Sequence, residues 1–527
     1  MTVPTFIERV LDSTISVLGE VDRSALVEHI SGASITLRSG AGELSPASRA
    51  GFLFAANLAA RLYPTIYLDV PDELGKAAEA EIVAINPRCR LARGDGETTV
   101  ALNYECPVRG EENEVAVFAR GWNVYIDQPP AETEVAHVPT ALLAATLGLG
   151  EAFRVLFAPQ LGQRGRNGAT PFAFNMITLG EPVEGPSWTA EPDLGRFNLV
   201  GAGAVGQAAA HTLSASGATG TLVAVDHETI TLSNLQRYVL ARDADVGAVK
   251  VKLLKKRLAS SRLKVIPHRC RWDVGRASKG HPSLVALDSG EARIELQASL
   301  PGPIYNAWTQ PADAGFSRHE AFGHEPCLAC MYWPTKPRPS RYEQVAAAFR
   351  QHPARCLAYL VQPAIPVSSP LPPPALQSLP GHPNPPEAIE WTQRAILDDI
   401  AVRAGIDPGQ LAAWRDRSLA DLYQDGVCGG AVLDIGVGEA PREALVPLAH
   451  QSAFAGVMLA LQLLVSSDPL LREARPVEIE GRYDLISGGP QVLARPRART
   501  PGCICSDDVF RDVYRGKFSD PDESESK

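Results

Sequence analysis

Apolar and polar positions in the middle of the chain follow a fixed rhythm. A short apolar run at residues 197–200 (FNLV) leads into Gly201, Gly203 and Gly206, an Ala-rich stretch with helical spacing continues to residue 216, and a second apolar run comes at 221–225 (TLVAV). This predicts strand, tight turn, helix, strand. A similar rhythm opens the chain: an amphipathic helix at 6–21, a strand at 34–40 (SITLRSG), Gly40 and Gly42, a long helix at 46–62, and a strand at 65–70 (TIYLDV). The most apolar stretch, 446–465, is interrupted by Pro447, His450, Gln451, Ser452 and Gln462. It reads as a buried helix and not as a membrane span. Strand-like runs come after it (VEIEGRYDLI, PQVLARPRA).

The three glycines let the backbone approach a phosphate, and the helix after them adds a favourable dipole. Asp226, about twenty residues on, stands where a Rossmann unit places an acid on a ribose hydroxyl. This much describes any nucleotide site, a dehydrogenase or a nucleotide-sensing module included. The polar residues beyond the second strand narrow the choice: Asp226 and Glu228, then Ser233, Asn234 and Arg237, then Gly247 and Lys250. A guanidinium and an ammonium neutralise charge developing on phosphoryl oxygens, and an acid can hold magnesium. The set suits a triphosphate attacked at its α-phosphorus, and a dehydrogenase has no use for it.

In this order the residues resemble the ubiquitin-activating and ThiF/MoeB adenylyltransferase family, with its D-x-D/E, S-N-L-x-R-Q and G-x-x-K series. The likeness covers roughly residues 195–300 and extends to Asp288, Glu291 and Arg293, which come after a strand-like PSLVAL at 282–287 and match the family's D-N-x-E-x-R. Tyr238 stands where the family has Gln, and Ser289 where it has Asn. The resemblance implies that Asp226 holds the ribose with Glu228 near it or near the metal. It implies that Asn234, Arg237 and Lys250 grip the phosphates of ATP, and that Asp288 serves Mg2+. The plainer alternative is that Asn234 and Arg237 only cap and solvate a loop.

The fold implied is α/β, a Rossmann-like ThiF adenylation fold with tandem inactive and active halves acting as a pseudo-dimer. A mostly helical catalytic-cysteine domain is inserted in it. The expected layout is an inactive half at 1–189, an active half beginning at 190–330, the cysteine insert with a Pro-rich linker at 331–440, a return to the adenylation fold at 441–510, and an acidic tail at 511–527. A short echo between residues 85–90 and 266–271 (INPRCR, IPHRCR) points toward duplication. In the family the inactive half lends an arginine to the ATP site, for which Arg49, Arg164 and Arg166 are candidates.

With 527 residues the chain has room for about three domains. A net charge of −10 and a pI near 5.7 argue against nucleic acid as the main partner. The first residues lack the basic flank and apolar run of a secretion signal, so a cytoplasmic protein is expected, with no membrane partner. Nine cysteines fit a reducing compartment.

Cys327 and Cys330 form a C-x-x-C pair, and Cys503 and Cys505 a C-x-C pair; two such pairs can close one tetrahedral zinc site. They resemble the family's structural zinc knot, although the second pair is one residue shorter than the family's. Unligated thiols or a disulfide are the alternatives. In the insert, Cys428 precedes Gly429 and Gly430, which give access to a nucleophile, whereas Cys356 sits in an apolar helical pattern. Cys428 is therefore the preferred nucleophile, the plainer alternative being a small core residue before a glycine turn.

The layout looks like a bacterial ubiquitin-activating enzyme of antiphage (Bil-type) conjugation operons. That implies adenylation of a ubiquitin-like protein, a thioester on Cys428, and transfer to a conjugating enzyme, with Arg237, Lys250 and Asp288 serving the first step. The alternative is a ThiF/MoeB-like enzyme that adenylates a sulfur carrier and forms no thioester of its own. Pairing of two chains into a homodimer is open.

Overall fold

The strand expected at residues 34–40 runs over Ser34–Ser39 and opens a seven-stranded sheet. Its strands are Ser34–Ser39 (β1), Thr65–Asp69 (β2), Arg90–Arg93 (β3), Val100–Tyr104 (β4), Glu114–Arg120 (β5), Asn123–Ile126 (β6) and Phe172–Asn175 (β7), ordered β3-β2-β1-β4-β5-β6-β7. A second, eight-stranded sheet is built from Asp193–Val200 (β8), Thr219–Val225 (β9), Leu263–His268 (β10), Ser283–Val285 (β11), Ile304–Thr309 (β12), Asp313–His319 (β13), Glu480–Asp484 (β14) and Gln491–Val492 (β15). Its order is β10-β9-β8-β11-β12-β13-β14-β15. The second order repeats the first and adds one edge strand. In each sheet the first five strands are parallel and the rest antiparallel.

This computed structural model describes residues 4–333 and 446–518, apart from 20, 41, 111, 132, 189–190, 274, 276–279, 311–312, 477–479, 486–490 and 493–496. The chain divides into one unit of Met1–Trp333 with Val446–Lys527 and a second of Pro334–Leu445. The second unit, with Cys356 and Cys428, lies outside the described residues.

The repeat extends to the helices. Pro46–Ala59 comes after β1 and packs on Val138–Leu156; Ala204–Ala215 comes after β8 and packs on Ala449–Ser467. Both contacts depend on a missing Cβ. One on Gly51 would strike Tyr104 and the Ala141 carbonyl, and one on Gly456 would strike Ala208 and the Val205 carbonyl. Val138–Leu156 and Ala449–Ser467 are 19 residues each, apolar on all sides, and packed on each other. By length and composition either passes for a membrane span, but 89% and 94% of their apolar windows are buried inside the fold. Their hydrophobicity serves one core continuous between the halves. A fully buried Leu or Phe there contributes roughly 1.5–3 kcal/mol.

The duplication is carried by topology and not by the short sequence echo. Residues 85–90 join the helix Asp72–Ile85 to β3, whereas 266–271 run off the end of β10, so the two stretches are not equivalent. At the C-terminus, where the sequence reads as a tail from residue 511, Asp508–Phe518 is a helix. Tyr514 and Phe518 meet edge to face with ring centres 4.8 Å apart, and Tyr514 packs at a tilt on Phe322, also at 4.8 Å.

Candidate active site

The second sheet reverses strand order between β8 and β11, and in open α/β sheets ligands bind at such a switch point. The glycine turn, Asp226 and Asp288 all lie beyond the C-terminal ends of strands beside it: β8, β9 and β11 in turn. Gly201 has φ +96°, and a side chain there would run into the Ala286 backbone. A Cβ on Gly206 would strike the Gly201 carbonyl, so the third glycine lets the helix close on the turn. Gly203 is the N-cap of Ala204–Ala215 and brings no side chain to its free N–H groups. Asp226 fixes the turn by accepting from the Ala202 N–H at 2.8 Å through one oxygen and from the Glu228 N–H at 2.8 Å through the other. A carboxylate oxygen takes more than one donor, so both remain able to accept from a ribose.

The cations gather over this turn. Lys250 begins the helix Lys250–Arg257 and is only 4% exposed. Its Nζ donates to Glu228 at 2.5 Å and to the Tyr238 hydroxyl at 2.9 Å. Burial alone would discharge this lysine, but Tyr238, Asp226 and Glu228 outweigh it and hold the proton beyond the usual lysine range. For Glu228, burial works toward protonation, and Lys250 overcomes it to keep the carboxyl below its ordinary value. Arg237 also lies near the Tyr238 ring, 5.8 Å from its centre. Its pKa is lowered to about 10 by burial, with Arg9 adding to the effect and Tyr238 and Asp288 opposing it.

Asn234 has a structural duty as well as any ligand role. Its Oδ1 accepts from the Thr231 N–H at 3.0 Å and caps the short turn Leu232–Gln236, so the plain capping reading holds for this atom. Asp288 is exposed, and Ser289 caps the next helix through the Ala292 N–H at 3.0 Å. Arg293 is buried against Asn306 (2.9 Å) and the Ala307 carbonyl (3.0 Å), which makes it a support and not a ligand.

The first half reaches into this site, but not through the expected arginines. Arg166 is fully buried in its own half, paired with Asp127 (2.5 Å) and Glu151 (3.0 Å). Arg164 lies on the turn before it, with its carbonyl taken by Arg154, and Arg49 sits exposed on Pro46–Ala59. The arginine whose charge is felt at Arg237 is Arg9, on the helix Ile7–Leu18. Three other residues hold the loop that carries Asn234, Arg237 and Tyr238. Arg61 donates to the carbonyls of Leu235 and Ala241, Asn57 to that of Val239 at 2.9 Å, and Ser13 accepts from Gln236 at 3.1 Å. The N-terminal helices read from sequence contain all of these residues, but no local pattern says what a helix will touch 170 or more residues away.

The equivalent position in the first sheet is filled. Asp69 ends β2 as Asp226 comes after β9, and it is bound by Arg109 at 2.8 Å and Arg38 at 3.7 Å. Arg38 also pairs with Asp95 and Glu114 at 2.5 Å each. An ion-pair network thus occupies the place where the second sheet keeps its glycine turn and Lys250.

Away from the switch point, Cys327, Cys330, Cys503 and Cys505 are brought together, all buried, with their sulfurs within 4.8 Å of one another. The edges measure 3.5 Å (Cys327 to Cys503), 3.4 Å (Cys330 to Cys505) and 4.0 Å (Cys327 to Cys330). A tetrahedral zinc with Zn–S of about 2.3 Å requires S–S edges of about 3.8 Å. The four thiols therefore fit zinc. The shorter C-x-C spacing is accommodated by Gly502 at φ +79° and the tight turn Ile504–Ser506, which bring Cys505 beside Cys330.

Residues 194–278, which contain β8 to β10, the glycine turn and Lys250, match the ThiF family. The uncharacterized protein y4jF of Sinorhizobium fredii (strain NBRC 101917 / NGR234) is 30% identical over 494 residues, covering 88% of this chain and 87% of that protein. The chain belongs to the family of y4jF. Among solved structures, the crystal structure of E. coli MccB aligns over 74% of this chain and 94% of its own, with 13% identity and a TM-score of 0.35. The crystal structure of selenomethionine PaaA aligns over 23% of this chain and 40% of its own, with 24% identity and a TM-score of 0.21.

The y4jF-family chain thus carries a ThiF-type, Rossmann-like adenylation fold in its second sheet. Of the residues singled out from sequence, Gly201, Gly203, Asp226, Glu228, Asn234, Arg237 and Asp288 lie on turns and short connections beyond β8, β9 and β11, whereas Gly206 lies in the helix Ala204–Ala215 and Lys250 begins the helix Lys250–Arg257. Asp288 fits Mg2+ best. It is a hard oxygen ligand, it is exposed, and it is close enough to Arg237 to act on its charge, whereas Glu228 is taken by Lys250. His450 is a core residue: buried with its pKa lowered to about 3 by burial, its ring lies 5.8 Å from Phe153.

Proposed function

We propose that this protein uses Mg-ATP to adenylate a carboxylate, and that the carboxylate is the C-terminus of a ubiquitin-like protein. The observation that carries the first part is the set of Lys250, Tyr238, Glu228 and Arg237 gathered over a glycine turn at a switch point. The turn and the helix N-terminus bind phosphate, and Asp226 accepts from the ribose. Arg237 and Lys250 neutralise the phosphoryl oxygens as negative charge builds on them. Magnesium held by Asp288 would supply further charge stabilisation at the phosphates. Attack by the carboxylate on the α-phosphorus forms the acyl–phosphate bond and releases pyrophosphate.

The second part is supported by the insert at 331–440 with its Cys428-Gly-Gly run. In this reading the Cys428 thiolate attacks the acyl adenylate, AMP leaves, and the thioester then passes to a cysteine of a conjugating enzyme. A role in bacterial antiphage conjugation goes with it. The alternative, an enzyme that adenylates a sulfur carrier without its own thioester, shares every step before Cys428.

ATP–pyrophosphate exchange with a ubiquitin-like protein that has a free C-terminal carboxylate tests the proposal, together with a non-reducing gel of the same reaction. Exchange with a thiol-sensitive shift that is lost in Cys428→Ala and kept in Cys356→Ala is the expected result. Exchange without a shift favours the sulfur-carrier reading, and no exchange with a folded partner overturns adenylation.

A further inference from the structure

We propose that the Tyr238 hydroxyl is itself a phosphate ligand, through which Lys250 acts on the nucleotide at the glycine turn. The inference rests on the adenylation reading and adds to it a residue for which the family series has no counterpart, since glutamine is usual there. Tyr238 is 5% exposed, and Arg237 (5.8 Å) and Lys250 (5.1 Å) both lie near its ring. Its oxygen accepts from Lys250 Nζ at 2.9 Å, and a Cβ on Gly203 would lie 3.4 Å from that oxygen. The hydroxyl therefore lies beneath the residue that caps the phosphate-binding helix. Its own proton has no acceptor among the described residues.

A hydroxyl accepts and donates on one atom, so charge on Lys250 polarises the O–H toward whatever lies above Gly203. A phosphate oxygen is the acceptor that suits such a donor. Glutamine divides accepting and donating between Oε1 and Nε2, whereas the hydroxyl does both on one atom. Glu228, which shares Lys250 with Tyr238, completes the arrangement by holding the ammonium in place.

Tyr238→Phe keeps the ring and removes only the relay. Calorimetric titration of the full chain with Mg-ATP, AMP and adenosine is the test, with a thermal melt of each variant. The expected result is a loss of about tenfold in ATP affinity, as for one hydrogen bond to a charged group. AMP loses less, adenosine affinity does not change, and the melting midpoint without nucleotide falls modestly, because buried Lys250 loses one of its two partners. In a Lys250→Met background, Tyr238→Phe then costs less than about threefold, because the two residues act in series. Equal ATP affinity in wild type and Tyr238→Phe overturns the relay alone. So does an equal loss for adenosine, which would make Tyr238 a packing residue. A wild type that binds no ATP overturns the adenylation reading with it.

Discussion

Arg61, in the turn that ends the first half's helix Pro46–Ala59, donates to the main-chain carbonyl of Leu235 in the second half. The same guanidinium reaches the carbonyl of Ala241 at 3.4 Å, so it brackets the segment that carries Arg237 and Tyr238. It is 1% exposed; burial lowers its pKa to about 9 against the opposing pull of Glu81. The first half thereby fixes the conformation of a loop on which the second half's chemistry depends.

Replacing Arg61 by Ala leaves buried carbonyls without donors, at a cost of roughly 3 kcal/mol. Denaturant unfolding should show this loss. ATP affinity measured on the fraction that remains folded should fall as well, whereas a purely structural arginine would leave that affinity intact. Arg61→Lys, which keeps the charge but not the fork, is expected to recover part of the stability and little of the affinity.

The Lys250–Glu228 pair sets a pH window. Glu228 titrates below its usual range in the folded protein, so its contribution is present above about pH 4.3 and is lost as acid takes the pH down through the folded value. Lys250 titrates above its usual range, so its contribution is present below about pH 10.4 and fades as the pH rises through the folded value. Thermal melts across pH should show an acid limb near pH 4 that flattens in Glu228→Gln.

Gly201→Ala combines an unfavourable φ of +96° with a clash against the Ala286 backbone. A destabilisation of about 2–4 kcal/mol is expected, together with loss of nucleotide binding. Gly217, at φ +71° with open space around it, serves as the comparison. Alanine there should cost only about 1 kcal/mol and leave binding unchanged.

The four-cysteine group should retain about one zinc per chain through purification, as measured by elemental analysis. Cys330→Ser or Cys505→Ser should abolish retention and lower the melting midpoint. Strong chelators should do the same to the wild type.

Much of the second half was legible because its signals are local. Glycines must come directly after a strand to cradle phosphate, and Asn234, Arg237 and Lys250 stand at short fixed offsets from them. The cysteine pairs were legible for the same reason, since C-x-x-C states its own geometry. Val138–Leu156 was not read from the sequence, whereas its counterpart Ala449–Ser467, of the same length and character, was. Arg9, Arg61 and Tyr238 were hidden differently. Their roles depend on which surfaces meet after folding, and an arginine ending a helix looks the same whether it faces water or Leu235. The echo between residues 85–90 and 266–271 pointed to duplication through positions that the topology does not equate.

The two sheets also differ at one connection. In the first half, β6 passes to the long apolar helix Val138–Leu156 through a short connection; in the second, β13 passes to Ala449–Ser467 through the first cysteine pair and the whole of Pro334–Leu445. The long segment is thus confined to one of two otherwise matching strand–helix connections. The half that carries it has the glycine turn and the lysine, while the other fills the same place with Arg38 and its acids. Replacing Pro334–Leu445 by a short linker, with both cysteine pairs kept, should therefore return a protein that still folds and binds nucleotide.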